Sequence, residues 1–341
     1  MTERSECFAS SAHFAAALAD LPSPDIAAAD AAHARQGQLT KPPGSLGRLE
    51  GIAIFMAGWQ GRERPAIDRG RVAIFAGNHG VVALGVSAFP ASVTAQMVAN
   101  FAAGGAAINQ LAGAAGLELV VVPLDLDRPT QDITVEPAMS EAECLDALAA
   151  GASVVEPGLD LLVVGEMGIG NTTAAAALAA ISLGGDAAAW VGPGTGVDGD
   201  GIARKVAVVE RALALHGSDA SSAFERLRRV GGREIAAIAG AVLRARQCRV
   251  PVLLDGFITC AALAPLAVEA PAIVDHCLAG HCSAEPGHER LLQHLGLEPL
   301  LRLGMRLGEG SGAAVAANVV RSALAAHGGM ATFAEAGVAG A

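Results

Sequence analysis

The stretch Leu161-Leu-Val-Val-Gly-Glu-Met-Gly-Ile-Gly-Asn-Thr-Thr173 decides the fold. Its opening, Leu161–Gly165, is an unbroken apolar run with β-branched members, as expected of a strand covered on both faces. Glycines and one acid follow at once. An Ala-rich stretch over Thr172–Leu183 then has the composition of a buried helix. A strand, a glycine turn and a helix in succession make the first half of a βαβ unit.

The rhythm recurs on both sides. Val72–Ala76, Leu119–Pro123, Val250–Leu254 and Ala272–Val274 read as further strands, and Val93–Ala115, Gly201–Leu215 and Arg233–Arg246 as helices between them. Alternating strands and helices predict an α/β fold with a mostly parallel, Rossmann-like sheet flanked by helices. Upstream, Ala27–Arg35 reads as a helix. The rigid turn Lys41-Pro-Pro-Gly44 ends that region, because consecutive prolines cannot continue a helix, and another helix starts from about Leu46. The tail returns to helix over Ala313–Ala326. The expected organisation is a sheet domain of residues 71–310 carrying the site. A small helical accessory is expected from residues 1–70 packed with the C-terminal helical segment, residues 311–341.

Composition narrows the function. Of 341 residues 52% are apolar, 17% charged and 3% aromatic, and 23 Lys+Arg against 34 Asp+Glu give a net charge of −11. Such a chain is not disordered. It has neither the basic footprint nor the stacking platform of a nucleic-acid binder. Mean hydropathy is +0.44, and Val72 to Leu117 contains no Asp, Glu, Lys or Arg. That stretch is nevertheless interrupted by Asn78, His79, Pro90, Gln96, Asn100, Asn109 and Gln110, so no membrane span is expected. The N-terminus carries Glu3 and Glu6 and lacks the apolar core of a secretory signal. Cys7, Cys144, Cys248, Cys260, Cys277 and Cys282 are scattered, which fits a reducing cytoplasm.

Ligands of open α/β sheets bind beyond the carboxyl ends of the strands. Gly77-Asn-His-Gly80, Gly165–Thr173, Asp255-Gly-Phe257 and the segment Asp275–His288 follow four of the strand runs. Gly165–Thr173 offers backbone N–H groups at a helix start and two threonine hydroxyls, which suit a phosphate; the alternative is a tight turn capped by Asn or Thr. It lacks the third glycine of a dinucleotide fingerprint, which argues against a nicotinamide-dependent oxidoreductase. Gly192-Pro-Gly-Thr-Gly196 permits close backbone approach, and Lys205 on the next helix is either a point charge for a phosphate or an exposed helix lysine. His276, Cys277, His281 and Cys282 have no usual zinc spacing, so no metal is expected. Glu309 stands in Gly308-Glu-Gly310. Such a carboxylate suits a general base once burial raises its pKa; the alternatives are a solvated loop glutamate or a first-turn helix acid favoured by the dipole.

Taken together, several segments resemble the nicotinate-nucleotide:dimethylbenzimidazole phosphoribosyltransferase family. They are Lys41–Glu50, Gly77–Gly80, Gly85–Pro90, Gly165–Thr173, Gly192–Gly196, Asp255–Phe257, His281–His288 and Leu307–Ala313. The resemblance runs from about residue 35 to 325. It implies transfer of phosphoribose from nicotinate mononucleotide to 5,6-dimethylbenzimidazole, giving α-ribazole 5′-phosphate and nicotinate, in assembly of the lower ligand of cobalamin. It implies no cofactor, and a homodimer. By motif, Glu309 takes the role of the base that removes the benzimidazole N–H proton, and Glu166 lines the same site. Gly168, Gly170, Asn171 and Thr172 lie near the mononucleotide, with Lys205 and Ser283 toward its phosphate or ribose. Arg306 shapes the loop carrying Glu309. Ser87, Phe89, Gln96 and Leu307 form the base pocket.

Overall fold

Five strands pair into one parallel sheet in the computed structural model, which describes residues 8–194 and 196–339. Cys7 and Thr195 lie outside the described residues. The strands are β1 (Gly70–Ala76), β2 (Glu118–Pro123), β3 (Leu161–Met167), β4 (Val252–Leu254) and β5 (Cys277–Ala279). Their order is β2-β1-β3-β4-β5, every pair parallel. The chain thus winds outward from β1 in one direction and from β3 in the other. The strand order therefore reverses between β1 and β3, and doubly wound sheets bind ligands beyond the carboxyl ends of their strands near such a point.

Successive side chains of a strand point to opposite faces, and each face here has its own core. Ala73, Phe75, Leu162, Val164, Val252 and Leu254 pack with the helices Asn171–Leu183 and Arg233–Gln247. Val72, Ile74, Leu161, Val163 and Leu253 pack with Arg48–Gln60, Ala107–Ala114 and Ser311–Gly329. Burial on both sides explains why these strands are continuous apolar runs. Small residues let the layers close up. A Cβ at Gly151 would lie 1.8 Å from the Ala237 carbonyl oxygen, and one at Gly240 would lie 2.1 Å from that of Leu148. The helices Glu141–Ala152 and Arg233–Gln247 therefore approach closer than any side chain permits.

The two terminal segments meet. Arg35 is buried and donates to the carbonyls of His327 and Met330 at 2.9 and 3.0 Å, and Leu39 bridges Thr332. Among the described residues no helix is long and apolar enough to cross a membrane.

Two expected elements are corrected. Ala272–Val274 is part of a 3-10 turn, Pro271–Val274, and the strand is the following Cys277–Ala279. Pro271 starts the turn without an amide to donate. Asp275 and His276 therefore precede β5 and sit at the amino end of the sheet, away from the carboxyl ends of the strands. His276 is buried there against Trp59 and bonded to the Val242 carbonyl. The stretch Val93–Ala115 is two helices, Ser92–Ala102 and Ala107–Ala114, broken where Gly104 takes φ +77°.

Candidate active site

A cavity of about 270 Å³ opens at the carboxyl ends of β3, β4 and β5. Glu166, Gly168, Asn171 and Thr172 line it from the segment at the end of β3. Gly256 and Phe257 do so after β4, and His281, Ser283 and Glu285 after β5. Arg306, Leu307 and Gly308 close it from the loop before the last long helix, and Phe89 stands at its mouth. Phe89 and Leu307 are half exposed, 49% and 56%.

Glu166 is the penultimate residue of β3, and only 7% of it meets solvent. Burial is the main cause that pushes its carboxyl up to about 8, and the charges of Asp255, Glu234 and Glu309 add to it. Asn171 opposes the shift by donating to Oε2. Asn171 opens the helix Asn171–Leu183, after Gly170 turns the chain at φ +91°. At neutral pH, Glu166 is therefore largely a neutral acid.

Glu309 is placed by backbone alone. Gly308, Glu309 and Gly310 take φ +81°, +63° and +72°, three consecutive left-handed residues. Only Glu309 has a side chain, so only it bears the steric cost of that region. The loop crosses directly over β3: a Cβ on Gly165 would stand 2.4 Å from the Gly310 nitrogen. The Glu309 amide donates to the Glu166 carbonyl at 3.3 Å. Its own carboxyl is buried, and Oε2 has no hydrogen-bond partner among the described residues. Burial first, then the charge of Asp255, raises it to about 7. Asp255, just after β4, caps the helix Ser311–Gly329 by accepting from the Ala313 amide at 2.9 Å.

The cationic side is smaller. Lys205 is not an exposed helix lysine. It is 1% exposed, and its ammonium donates to Thr172 Oγ1 at 2.9 Å and the Gly192 carbonyl at 2.7 Å. Burial lowers it to about 8, and nearby Glu285 works against that shift. Lys205 therefore stands one side chain back, behind Thr172 and the Gly192–Gly194 turn. Arg306 reaches the same turn, donating to the Gly194 carbonyl at 3.3 Å. Ser283 is held by His288, whose Nδ1 accepts the Ser283 amide at 2.8 Å and lies 2.9 Å from its hydroxyl. Burial keeps His288 down at about 3, so it is neutral at pH 7.

The remaining expected residues are more scattered. Gly170 turns the loop and is not part of the lining. Ser87 accepts from the Phe89 amide at 3.2 Å and shapes its own loop. Gln96 is exposed on the helix Ser92–Ala102 and is not among the lining residues. Sequence alone assigned no role to Asp255, Phe257, His281 or Glu285, although all four stand in the segments that follow the strands. Among the described residues no group of His, Cys, Asp and Glu is placed to hold a metal ion.

The comparisons agree along nearly the whole chain. The family model described as Phosphoribosyltransferase matches residues 21–338. A nicotinate-nucleotide–dimethylbenzimidazole phosphoribosyltransferase of Novosphingobium aromaticivorans is 74% identical over 97% of this chain and 98% of its own length. That of Cereibacter sphaeroides is 60% identical over the same shares. The crystal structure of CobT from Thermus thermophilus superposes with a TM-score of 0.86 at 44% identity, covering 92% of this chain and all (100%) of that one. With this site at the ends of a parallel sheet, the chain belongs to the nicotinate-nucleotide–dimethylbenzimidazole phosphoribosyltransferase family.

Proposed function

We propose that this chain transfers the phosphoribosyl group of nicotinate mononucleotide to 5,6-dimethylbenzimidazole, releasing nicotinate and forming α-ribazole 5′-phosphate. The observation that carries this reading is the left-handed Gly308–Gly310 turn, which commits a buried carboxylate with a pKa raised to about 7 to the neighbourhood of Glu166. A base poised near the working pH is what removal of an azole proton requires.

The reaction then runs in one inverting displacement. The C1′–N bond of the donor breaks, and its electron pair returns to the pyridine nitrogen, so nicotinate leaves without needing a proton. The unprotonated benzimidazole nitrogen forms the new bond to C1′ from the opposite face. The proton on the other ring nitrogen passes to Glu309. Glu166, held by Asn171, faces the sugar carbon as it becomes oxocarbenium-like; the positive charge of the pyridinium and of that carbon favours the ionised form of this otherwise neutral acid. Gly168, Asn171 and Thr172 supply the mononucleotide cradle, backed by Lys205 and by Arg306 at the Gly192–Gly194 turn, with Ser283 from the segment after β5. Phe89 and Leu307 flank the acceptor ring. Holding both rings on opposite faces of one ribose supplies much of the rate.

The finer expectations belong to the same reading: a homodimer in the cytoplasm, acting on small molecules. Light scattering on the purified chain measures the first, and a mass of one protomer contradicts it. The activity is tested by incubating the chain with nicotinate mononucleotide and dimethylbenzimidazole. Nicotinate release is followed by chromatography and the anomeric configuration of the product by NMR. Nicotinate appearing only with the acceptor present, and an α product, are expected. Acceptor-independent release points to a hydrolase instead.

A further inference from the structure

His79 and Glu234 form a buried pair to which the reaction scheme gives no part. His79 follows β1, and Glu234 lies in the first turn of the helix Arg233–Gln247. They are 2% and 0% exposed, with Nε2 and Oε1 2.6 Å apart, and neither lines the cavity.

Glycines enclose the pair where side chains would ordinarily stand. A Cβ on Gly77 would lie 2.4 Å from Glu234 Oε2, and one on Gly232 2.3 Å from His79 Cε1. Two more glycines belong to the loop after β3. A Cβ on Gly168 would stand 3.2 Å from both Glu234 Oε1 and Asn171 Nδ2, and one on Gly170 3.4 Å from the His79 Cβ. Gly168 thus meets Glu234 with no side chain between, its added Cβ standing also 2.7 Å from the Gly77 carbonyl oxygen, whereas that on Gly170 would meet Val82 Cγ2 first, at 2.7 Å, and then His79. On its other side Asn171 holds the Glu166 carboxyl. Glu234 Oε2 has no hydrogen-bond partner among the described residues, so the imidazole is the one side chain that anchors this carboxyl. A half-satisfied buried carboxyl persists only where the surrounding packing leaves it nowhere else to go.

We propose that the His79–Glu234 pair is a positioning device for the phosphoribosyl donor: it fixes the Gly168–Asn171 backbone and, through Asn171, the aim of Glu166. This rests on the reading that the loop holds the mononucleotide. Neither residue touches substrate, and both act through the loop.

The test compares two replacements of similar polarity and different reach. In His79→Asn the amide nitrogen stands near the imidazole Nδ1 position and falls short of Glu234. In His79→Gln it reaches the Nε2 position. Calorimetric titration with nicotinate mononucleotide is expected to show affinity about tenfold weaker for His79→Asn and within about twofold of wild type for His79→Gln. In steady-state kinetics the KM for dimethylbenzimidazole is expected to stay within about twofold in both. A merely structural role lowers the active fraction and leaves both substrates' constants unmoved. Should His79→Asn fail to fold, Glu234→Asp draws the carboxyl back by one methylene and is expected to give the same split. Unchanged mononucleotide affinity in the short variants, a His79→Gln as impaired as His79→Asn, or a parallel rise for both substrates overturns the proposal. Affinity is read without turnover. A wild-type chain that binds the mononucleotide but makes no product therefore contradicts the function, while the comparison of the variants still tests the pair.

Discussion

Glu309 is a non-glycine residue held at φ +63°, a conformation that costs about 1–2 kcal/mol. The same turn withdraws its carboxyl from water and brings its proton affinity into the neutral range. Only the ionised form can accept a proton, so turnover should fall as pH drops through about 7. A pH–rate profile checks this, and a limb that stays flat down to pH 5 contradicts it. Lys205 carries the second expectation at this scale. Its ammonium ties Thr172 to the Gly192 carbonyl, so Lys205→Ala should loosen the phosphate side. The KM for nicotinate mononucleotide should rise about tenfold or more, and that for the base should stay nearly constant. Equal rises in both argue against a phosphate-side role. Glu309 and Lys205 are conspicuous in the sequence because glycines surround one and a glycine turn precedes the other. Burial is what the sequence could not disclose, and burial turns an apparent surface lysine into an interior strut.

At the scale of elements, the site depends on close crossings of backbone. Gly165 lies in the middle of β3 because the Gly308–Gly310 turn passes over it. Gly165→Ala places a methyl 2.4 Å from the Gly310 nitrogen. The variant should lose about 1–3 kcal/mol of stability. It should also lose activity beyond what unfolding explains, because Glu309 must move. Thermal unfolding and kcat on the folded fraction measure the two effects; an intact kcat removes the turn from the mechanism. β1, β3 and β4 are legible because both faces are covered and their apolar runs are continuous, and the partly exposed edge strand β2 is legible from its run of valines. β5 is not: Cys277–Ala279 is three residues long and has no β-branched member, whereas Ala272–Val274 has two and is not a strand. The break in Val93–Ala115 rests on Gly104-Gly105 within an Ala-rich background, where composition alone still favours helix. The capping box of Ser140 and Glu143, which starts the helix Glu141–Ala152, is a signal in the spacing that the periodicity of apolar runs passes over.

At the scale of the whole molecule, the chain closes on itself. Arg35 binds carbonyls at the end of the last long helix, and both terminal segments also cover one face of the sheet. Arg35→Ala leaves those carbonyls unpaired and should lower stability by about 1–3 kcal/mol. The effect should appear in a thermal scan with KM for both substrates unchanged. A matched loss of substrate affinity contradicts the separation of this closure from the site. The net charge of −11 offers an anionic donor no attraction at a distance. On the proposed reading its capture falls to helix-start amides, Arg306 and the buried Lys205. The apolar, weakly charged composition, which raises the question of a membrane in the sequence, serves a core on each face of the sheet.

The most direct measurement is kcat for Glu309→Gln with dimethylbenzimidazole as acceptor. The amide keeps the volume and the turn and cannot take the proton. Both KM values are expected near wild type, with kcat lower by about 10²–10⁴-fold. A variant that turns over at the wild-type rate contradicts the assignment of Glu309 as the base.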